Sequence, residues 1–198
     1  MNIRSAVKKD YRRIAELHSS SITTGFLSTL GSDFLSELYK AIHTQNTACL
    51  LVAETENSVC GFIAGTVNTK GLYKNVLLKN WYHFIIPFAR FVFNVKVILR
   101  SFETLRYGFR KDKKNASNMY SAELLSVAVD SNVRGTGIGK ELVESLEAFF
   151  KEKNITQYKV VTFSKDQNAN KFYISCKFKL NCQFIHHGNL LSQYVKEI

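Results

Sequence analysis

Apolar positions in the first 68 residues recur with two different periods, which predicts strands that alternate with helices. A short strand is predicted around Ile3, and Asp10 is placed to cap the helix that follows it. Apolar residues at helical spacing predict two helices, with Ile14, Leu17 and His18 in the first and Phe34, Leu35, Leu38 and Ile42 in the second. The apolar runs 48–53 and 59–67 then flank a polar turn and predict a β-hairpin.

The chain beyond residue 120 predicts a strand, a helix, a second strand, a second helix and a final hairpin. A strand over 123–129 leads into glycine-rich residues 135–139, and the next helix has an apolar face of Leu142, Leu146, Phe149 and Phe150. After a strand over 158–163, Asp166 is placed to cap a helix with Ala169, Phe172, Tyr173 and Cys176 on one face. Strands over 178–185 and 190–195 form the hairpin, so this order predicts a mixed α/β sheet.

Residues 70–114 interrupt this pattern with a segment that is both aromatic and basic. They hold 10 of the chain's 25 aromatic residues, and 11 Lys/Arg against two acidic residues give them +9 of the net charge of +11. The apolar stretch 81–99 contains two full charges and Pro87, which argues against a membrane-spanning helix. Because so many aromatic side chains need burial, we expect helices here, kinked or separated at the proline.

The overall composition is that of one globular domain over residues 1–198, without a linker that would mark a second domain. Its four cysteines are scattered without a C-x-x-C pair, which argues against a disulfide framework and a zinc site. No His/Cys/carboxylate cluster has the spacing of metal ligands, so no metal cofactor is expected. The N-terminus lacks a signal-peptide core, and together with the reduced thiols this predicts a cytoplasmic protein.

The glycine-rich loop is the clearest chemical signal in the chain. Residues 134–140 read Arg-Gly-Thr-Gly-Ile-Gly-Lys and stand between a predicted strand and a predicted helix N-terminus. Glycines there let consecutive backbone N–H groups converge on an anion, so a phosphate or pyrophosphate is the expected ligand. A P-loop is excluded because Glu141 follows Lys140, and the alternating glycines do not fit the dinucleotide fingerprint Gly-x-Gly-x-x-Gly.

What the loop does match is the acetyl-CoA signature Arg/Gln-x-x-Gly-x-Gly/Ala, through Arg134, Gly137 and Gly139. In this respect the chain resembles the GNAT superfamily of N-acetyltransferases. The resemblance implies acetyl-CoA as cosubstrate, with its pyrophosphate held by Arg134, Gly135, Thr136, Gly137, Ile138, Gly139 and Lys140.

A second motif of that superfamily, Asn-x-x-Ala-x-x-Phe/Leu-Tyr-x-x-x-Gly-Phe, is similar to residues 166–178. The matching residues are Ala169, Phe172, Tyr173 and Phe178. Asp166 replaces the usual Asn, with Asn168 close by as the expected contact to CoA, and Lys177 replaces the usual Gly. Together the motifs imply the GNAT fold, a mixed and mostly antiparallel sheet flanked by helices, with a helical insertion at about 70–115 between the third and fourth strands.

The resemblance also assigns catalytic roles. Glu123 would accept the amine proton, and Tyr173 would protonate or hydrogen-bond the leaving sulfur. The backbone of Val127, Ala128 and Val129 would pair with pantetheine and face the thioester oxygen. The alternative interpretations are a solvated strand-end carboxylate for Glu123 and core packing for Tyr173.

Simple alternation along this strand predicts that Glu123, Leu125, Val127 and Val129 share one face. His18 and His43 fall within predicted helices, where a structural role is expected.

The sequence thus predicts transfer of an acetyl group to a primary amine of a small molecule, with an aminosugar or nucleotide-linked aminosugar preferred. The alternatives are a protein lysine or N-terminal amine as acceptor, and a non-catalytic acyl-CoA sensor. For the basic insertion three interpretations stay open: a lid or homodimer surface, an acceptor site for an anionic substrate, and a patch that contacts an anionic membrane surface. No nucleic-acid recognition motif accompanies the charge.

Overall fold

The structure, a computed structural model, describes residues 1–23, 27–56, 58–79, 120–186 and 188–198. The strands in these ranges are β1 (Asn2–Ser5), β2 (Ala48–Thr55), β3 (Ser58–Thr66), β4 (Glu123–Val129), β5 (Gln157–Phe163), β6 (Lys179–His186) and β7 (Asn189–Glu197). The α-helices are α1 (Tyr11–Ser21), α2 (Gly31–His43), α3 (Thr69–Lys79), α4 (Ile138–Glu152) and α5 (Gln167–Ser175). Each strand and helix predicted in the first 68 residues and after residue 120 is present.

All seven strands belong to one sheet, in the order β1-β2-β3-β4-β5-β7-β6. Every neighbouring pair is antiparallel except β4 and β5, which are parallel. The parallel pair is joined through α4, because strands that run the same way need a crossover connection. The predicted mixed, mostly antiparallel sheet flanked by helices is therefore confirmed.

The sheet separates two hydrophobic cores. One core packs α1, α2 and the start of α3 against β2, β3 and β4, with Ile14, Leu35 and Phe62 fully buried. The other packs α4 and Tyr173 of α5 against the opposite face, with Leu142, Leu146 and Phe150 fully buried. The helical stripes predicted from the sequence are the faces that fill these cores.

Helix α4 approaches β3 closely because β3 contains glycine where the helix crosses it. A Cβ atom at Gly65 would lie 2.6 Å from Cδ1 of Leu146, and one at Gly61 would lie 3.2 Å from Cδ1 of Leu142. Both distances are shorter than an ordinary van der Waals contact. This packing sets the position of α4 and therefore of its N-terminus, which follows the glycine-rich loop.

Of the two predicted helix caps, one is confirmed and one is wrong. Asp166 accepts the backbone N–H of Ala169 at 3.0 Å and caps α5. The carboxylate of Asp10 makes no such bond to α1. It accepts the N–H of Val7 at 2.8 Å and an Arg4 guanidinium hydrogen at 2.7 Å, because an ion pair across to β1 competes for the same oxygens.

The prediction that Glu123, Leu125, Val127 and Val129 share one face is also wrong. The register between β3 and β4 shifts between Ala64 and Gly65, so β4 contains one extra residue at Leu125. A β-bulge of this kind breaks the two-residue alternation. Leu125 consequently packs in the core of α1 and α2, whereas Val127 and Val129 pack in the core of α4.

The predicted helical insertion begins as a helix, since α3 starts at Thr69 directly after β3. The rest of it, residues 80–119, lies outside the described residues, as do the three interpretations that concern it. Within the part of the chain that the structure describes, no helix is both long enough and apolar enough to cross a membrane.

Burial of His18 in α1 predicts acid sensitivity of the fold. Only 4% of this residue is exposed, and burial lowers the pKa of its imidazole from 6.5 to about 4. Between pH 6.5 and about pH 4 the imidazole is protonated in the unfolded chain and neutral in the folded protein, so acid favours unfolding. This group should remove about 2 kcal/mol from the free energy of unfolding between pH 7.5 and pH 5.

The measurement is urea unfolding of the wild type and of His18→Asn at both pH values. Asp10 and His43 also have lowered pKa values, because of the Arg4 ion pair for Asp10 and of burial for His43. These groups act in both proteins, so the difference between the two pH dependences isolates His18. Equal loss of stability in the wild type and the variant would contradict the prediction.

Candidate active site

The parallel strands β4 and β5 pair over only two positions and then separate. Cα partners are found for Glu123 with Lys159 and for Leu124 with Val160. Beyond them β4 continues to pair with β3 as far as Val129, while β5 pairs with β7 over its whole length. A wedge-shaped gap therefore opens between the two strands, closed near Glu123 and open at their C-terminal ends.

The register shows which backbone groups of β4 face this gap. Asp130 donates its N–H to the carbonyl of Cys60 on β3 at 2.7 Å, so these two residues form a hydrogen-bonded pair. Such pairs alternate along an antiparallel ladder, so the backbone of Ala128 also faces β3, and that of Val127 and Val129 faces the gap. Of the three residues assigned to pantetheine, Val127 thus presents its N–H and carbonyl to a ligand. Val129 presents its N–H, since its carbonyl accepts a hydrogen bond from Arg134.

The glycine-rich loop lies at the open end of the gap. Gly135 and Gly137 have positive φ angles of 81° and 95°, which glycine adopts without the strain that a Cβ atom adds. Gly137 is the N-cap of α4 and provides no side chain to cap it. Within the described residues, the N–H groups of 134–139 donate no hydrogen bond to the protein, so they are available to an anion at a helix N-terminus.

The third glycine of the loop is needed for space. A Cβ atom at Gly139 would lie 3.0 Å from Cε2 of Phe172 and 3.7 Å from Cγ2 of Val129. The first turn of α4 is therefore in contact with α5 and with the end of β4. This contact brings the loop, the gap and the second motif together.

Four polar side chains are assigned to CoA, and two of them make hydrogen bonds to the protein whereas the other two extend into solvent. Arg134 donates to the carbonyl of Val129 at 3.0 Å and to Ser21 at 2.8 Å, so its guanidinium caps the end of β4. Thr136 donates to the carbonyl of Val133 within the loop. Lys140 and Asn168 are exposed in the first turns of α4 and α5, and Lys140 Nζ is 3.8 Å from Glu144.

Glu123 lies at the closed end of the gap with 14% of its side chain exposed. Its Oε2 accepts the hydroxyl hydrogen of Thr69 at 3.0 Å and is 3.7 Å from Nζ of Lys159. Burial raises the pKa of this carboxyl, and the Lys159 charge and the hydrogen bond from Thr69 only partly oppose the shift. A carboxylate in this state is a better proton acceptor than an exposed one.

Tyr173 is 7% exposed and packs with its ring against Phe172, Phe178 and Tyr194. Its hydroxyl makes no hydrogen bond to a described residue. Burial raises the pKa of Tyr173, and the nearby Asp166 raises it further, so the phenol stays protonated at neutral pH. The structure thus shows Tyr173 as core packing, and its role as a proton donor stays a prediction.

Two partners of Glu123 were not identified from the sequence. Lys159 stands inside the apolar run 158–163, and a lysine in a buried strand is a signal that a partner carboxylate lies nearby. Thr69 has no sequence signal, because it meets Glu123 only where α3 starts. Its N–H and hydroxyl both also reach the carbonyl of Ser121, each at 3.0 Å.

Comparisons with known proteins agree with this geometry. Residues 108–178 match the model of the Acetyltransferase (GNAT) family. No curated protein sequence matched the chain.

Many solved structures share the fold. One, described as an acetyltransferase, has a TM-score of 0.60 at 23% identity and covers 100% of this chain and 99% of its own. The ribosomal-protein-alanine N-acetyltransferase from Brucella melitensis has a TM-score of 0.62 at 18% identity, with 100% of both chains covered. The structure of yncA from Salmonella typhimurium with its cofactor acetyl-CoA has a TM-score of 0.61 at 18% identity, with 100% and 93% covered.

Proposed function

This chain is a GNAT-fold protein whose residues 108–178 match the GNAT acetyltransferase family, and we propose that it transfers the acetyl group of acetyl-CoA to a primary amine of a small molecule. Attack is direct, with both substrates bound together. The observation that carries the proposal is the gap between β4 and β5. Unpaired backbone groups of β4 face this gap, and a loop suited to bind an anion lies at its open end.

The residues around the gap fit acetyl-CoA along its length. The N–H groups of the glycine-rich loop are suited to the pyrophosphate, and the α4 dipole favours the same negative charge. Backbone groups of Val127 and Val129 are suited to pair with the amide-bearing pantetheine arm. Bound in this way, acetyl-CoA supplies the activated thioester, and the N–H of Val127 is placed to stabilise charge on its carbonyl oxygen.

Glu123 and Tyr173 then carry out the two proton transfers of the reaction. The buried carboxylate of Glu123, with its raised pKa, accepts a proton from the acceptor amine, directly or through water. Tyr173, whose raised pKa keeps it protonated, donates its hydroxyl hydrogen to the departing sulfur.

We place the acceptor beside the basic insertion. Both ends of that segment meet at Glu123, because Thr69 bonds to Glu123 and to the carbonyl of Ser121. The segment has a net charge of +9 and 10 aromatic residues, a combination that suits a phosphorylated or nucleotide-linked aminosugar. A contact with an anionic membrane surface is a further proposal that rests on the same charge.

A protein amine is the second candidate acceptor. It is favoured by the similarity in fold to the ribosomal-protein-alanine N-acetyltransferase from Brucella melitensis. Assays of CoA release with aminosugars, nucleotide-linked aminosugars, and peptides with free lysine or N-terminal alanine separate the candidates. Tight acetyl-CoA binding without turnover of any amine would instead support the sensor alternative.

The first prediction of this proposal concerns binding. Gly137→Asp should weaken acetyl-CoA binding at least 100-fold by calorimetry, because a carboxylate repels the pyrophosphate at the loop. The matched control is Gly188→Asp in the β6–β7 turn. Gly188 has a similar positive φ of 72°, and no atom lies within 4 Å of the position of its Cβ, so the variant adds the same charge and a similar backbone strain outside the glycine-rich loop. Unchanged affinity in a folded Gly137→Asp protein would remove the basis for the loop's assignment.

The second prediction concerns the base. Glu123→Gln keeps the shape of the side chain but removes its basicity, so kcat should fall by roughly 10²–10⁴-fold with little change in acetyl-CoA affinity. In the wild type, kcat/KM should rise with pH through the raised pKa of Glu123. Full activity of Glu123→Gln from pH 6 to pH 9 would show that the proton leaves by another route.

The third prediction concerns the acceptor. Charge reversal at Arg100, Arg106 and Arg110 should raise the acceptor KM several-fold while leaving the acetyl-CoA KM nearly constant. Added salt should have the same effect on the wild type, because exposed charges are screened at 0.15 M ionic strength.

Reversal of three exposed lysines away from the site, Lys8, Lys151 and Lys153, is the control of equal charge change. It should leave the acceptor KM unchanged. If both triple variants raise the acceptor KM equally, the net charge of the protein, and not the insertion, determines acceptor binding. Loss of binding to anionic vesicles with normal acceptor kinetics would instead support the membrane contact.

A further inference from the structure

A chain of hydrogen bonds connects α1, α2 and β4 on the sheet face opposite α4. Nδ1 of His18 lies 2.6 Å from the hydroxyl of Tyr39, which lies 2.8 Å from Oγ of Ser126. His18 and Tyr39 are 4% and 2% exposed, whereas Ser126 is half-buried. The accessible end of the chain is therefore the serine on β4.

The surroundings of His18 determine the direction of these hydrogen bonds. Its Nε2 is buried without a hydrogen-bond partner among the described residues. The imidazole is neutral at pH 7, since burial lowers its pKa to about 4, so one nitrogen carries the single proton. A buried N–H without a partner is rarer, and therefore costlier, than a buried unpaired acceptor. The proton consequently belongs on Nδ1, which donates to the Tyr39 oxygen.

With that oxygen occupied as an acceptor, the Tyr39 hydrogen is directed to Oγ of Ser126. The hydrogen of Ser126 itself is then directed away from Tyr39. Each bond in the chain polarises the next, which makes the last hydroxyl a stronger donor. Three buried or half-buried groups thus act together to present one hydrogen at β4.

The residue that presents this hydrogen is a neighbour of the proposed reaction centre along β4. Ser126 directly follows Leu125, the extra residue of the bulge, and directly precedes Val127. The N–H of Val127 faces the gap in which the thioester is expected. Negative charge grows on the thioester carbonyl oxygen as the amine attacks, and a donor placed beforehand stabilises it.

We propose that Ser126 is a catalytic residue, which donates its hydroxyl hydrogen to the thioester carbonyl oxygen alongside the N–H of Val127. Tyr39 and His18 are positioning residues that hold it in the donating orientation. This inference rests on the proposed acetyl transfer and adds a side-chain donor to it.

Replacement of the serine is the direct test. Ser126→Ala should lower kcat about 10²-fold, the effect typical of one oxyanion donor, with the acetyl-CoA Kd and the acceptor KM nearly unchanged. The matched control is Ser145→Ala on α4, where the hydroxyl bonds only a carbonyl of its own helix. A kcat of Ser126→Ala equal to that of the wild type would overturn the proposal.

The positioning residues are tested by coupling. Tyr39→Phe should lower kcat on its own, yet Ser126→Ala with Tyr39→Phe should be no slower than Ser126→Ala alone. His18→Asn keeps an N–H donor near the position of Nδ1 and should preserve kcat, whereas His18→Leu should lower it. Additive losses in the double variant, or equal kcat values for the two His18 variants, would overturn the positioning role.

A measurement without turnover tests the direction of the chain. The ¹⁵N spectrum of His18 in the folded protein should show a protonated Nδ1 and a bare Nε2 at pH 7.5. The reverse tautomer would direct the bonds away from Ser126 and overturn the inference. If the wild type acetylates no amine, the proposed function fails and this inference fails with it; an active wild type matched by Ser126→Ala removes this inference alone.

Discussion

The early separation of β4 from β5 is the constraint on which the rest of the candidate site depends. Two parallel strands that pair at Glu123 and Leu124 and then diverge leave a row of backbone donors and acceptors without partners. Buried backbone groups are almost always hydrogen-bonded, so such a row implies a ligand with amide groups of its own, or water. The pantetheine arm of CoA has that chemistry, and the glycine-rich loop follows at the open end.

Separate anchors hold the two sides of the gap apart. The end of β4 is attached to α1, where Arg13 donates to Asp130 at 2.6 Å and Arg134 bonds both Val129 and Ser21. The end of β5 is attached to the opposite side of the sheet through Asn170 of α5. Its amide nitrogen donates to the carbonyl of Phe163 at 3.0 Å, and its oxygen accepts the hydroxyl of Tyr194 at 2.8 Å. The terminal carbonyls of the two strands, those of Val129 and Phe163, are therefore hydrogen-bonded without any contact between the strands, which favours the open gap.

Glu123 and Tyr173 illustrate how burial sets chemistry at this gap. The positive charge of Lys159 lies 3.7 Å from Glu123 and lowers its pKa, yet loss of solvent is the larger effect and the net shift is upward. For Tyr173 burial and nearby negative charge act in the same direction, so the phenol is held in its protonated form. One group is thereby suited to accept a proton and the other to give one.

The sequence by itself determined the elements and the loop. The spacing of apolar residues along the chain indicates which segments are helices and which are strands. The positive φ angles at Gly135 and Gly137 could also be anticipated, because only glycine adopts them freely. The bulge at Leu125, the Lys159 and Thr69 contacts of Glu123, and the bond of Asp10 to Arg4 were decided by the tertiary structure. Each depends on which strand or helix lies alongside. Local spacing contains no information about the partners of Glu123, which are 36 and 54 residues away, or about a register set by a neighbouring strand, and it does not decide whether the Asp10 carboxylate bonds to α1 or to Arg4. The same holds for His18, Tyr39 and Ser126, which lie on three elements and meet only when α1 and α2 pack on the sheet.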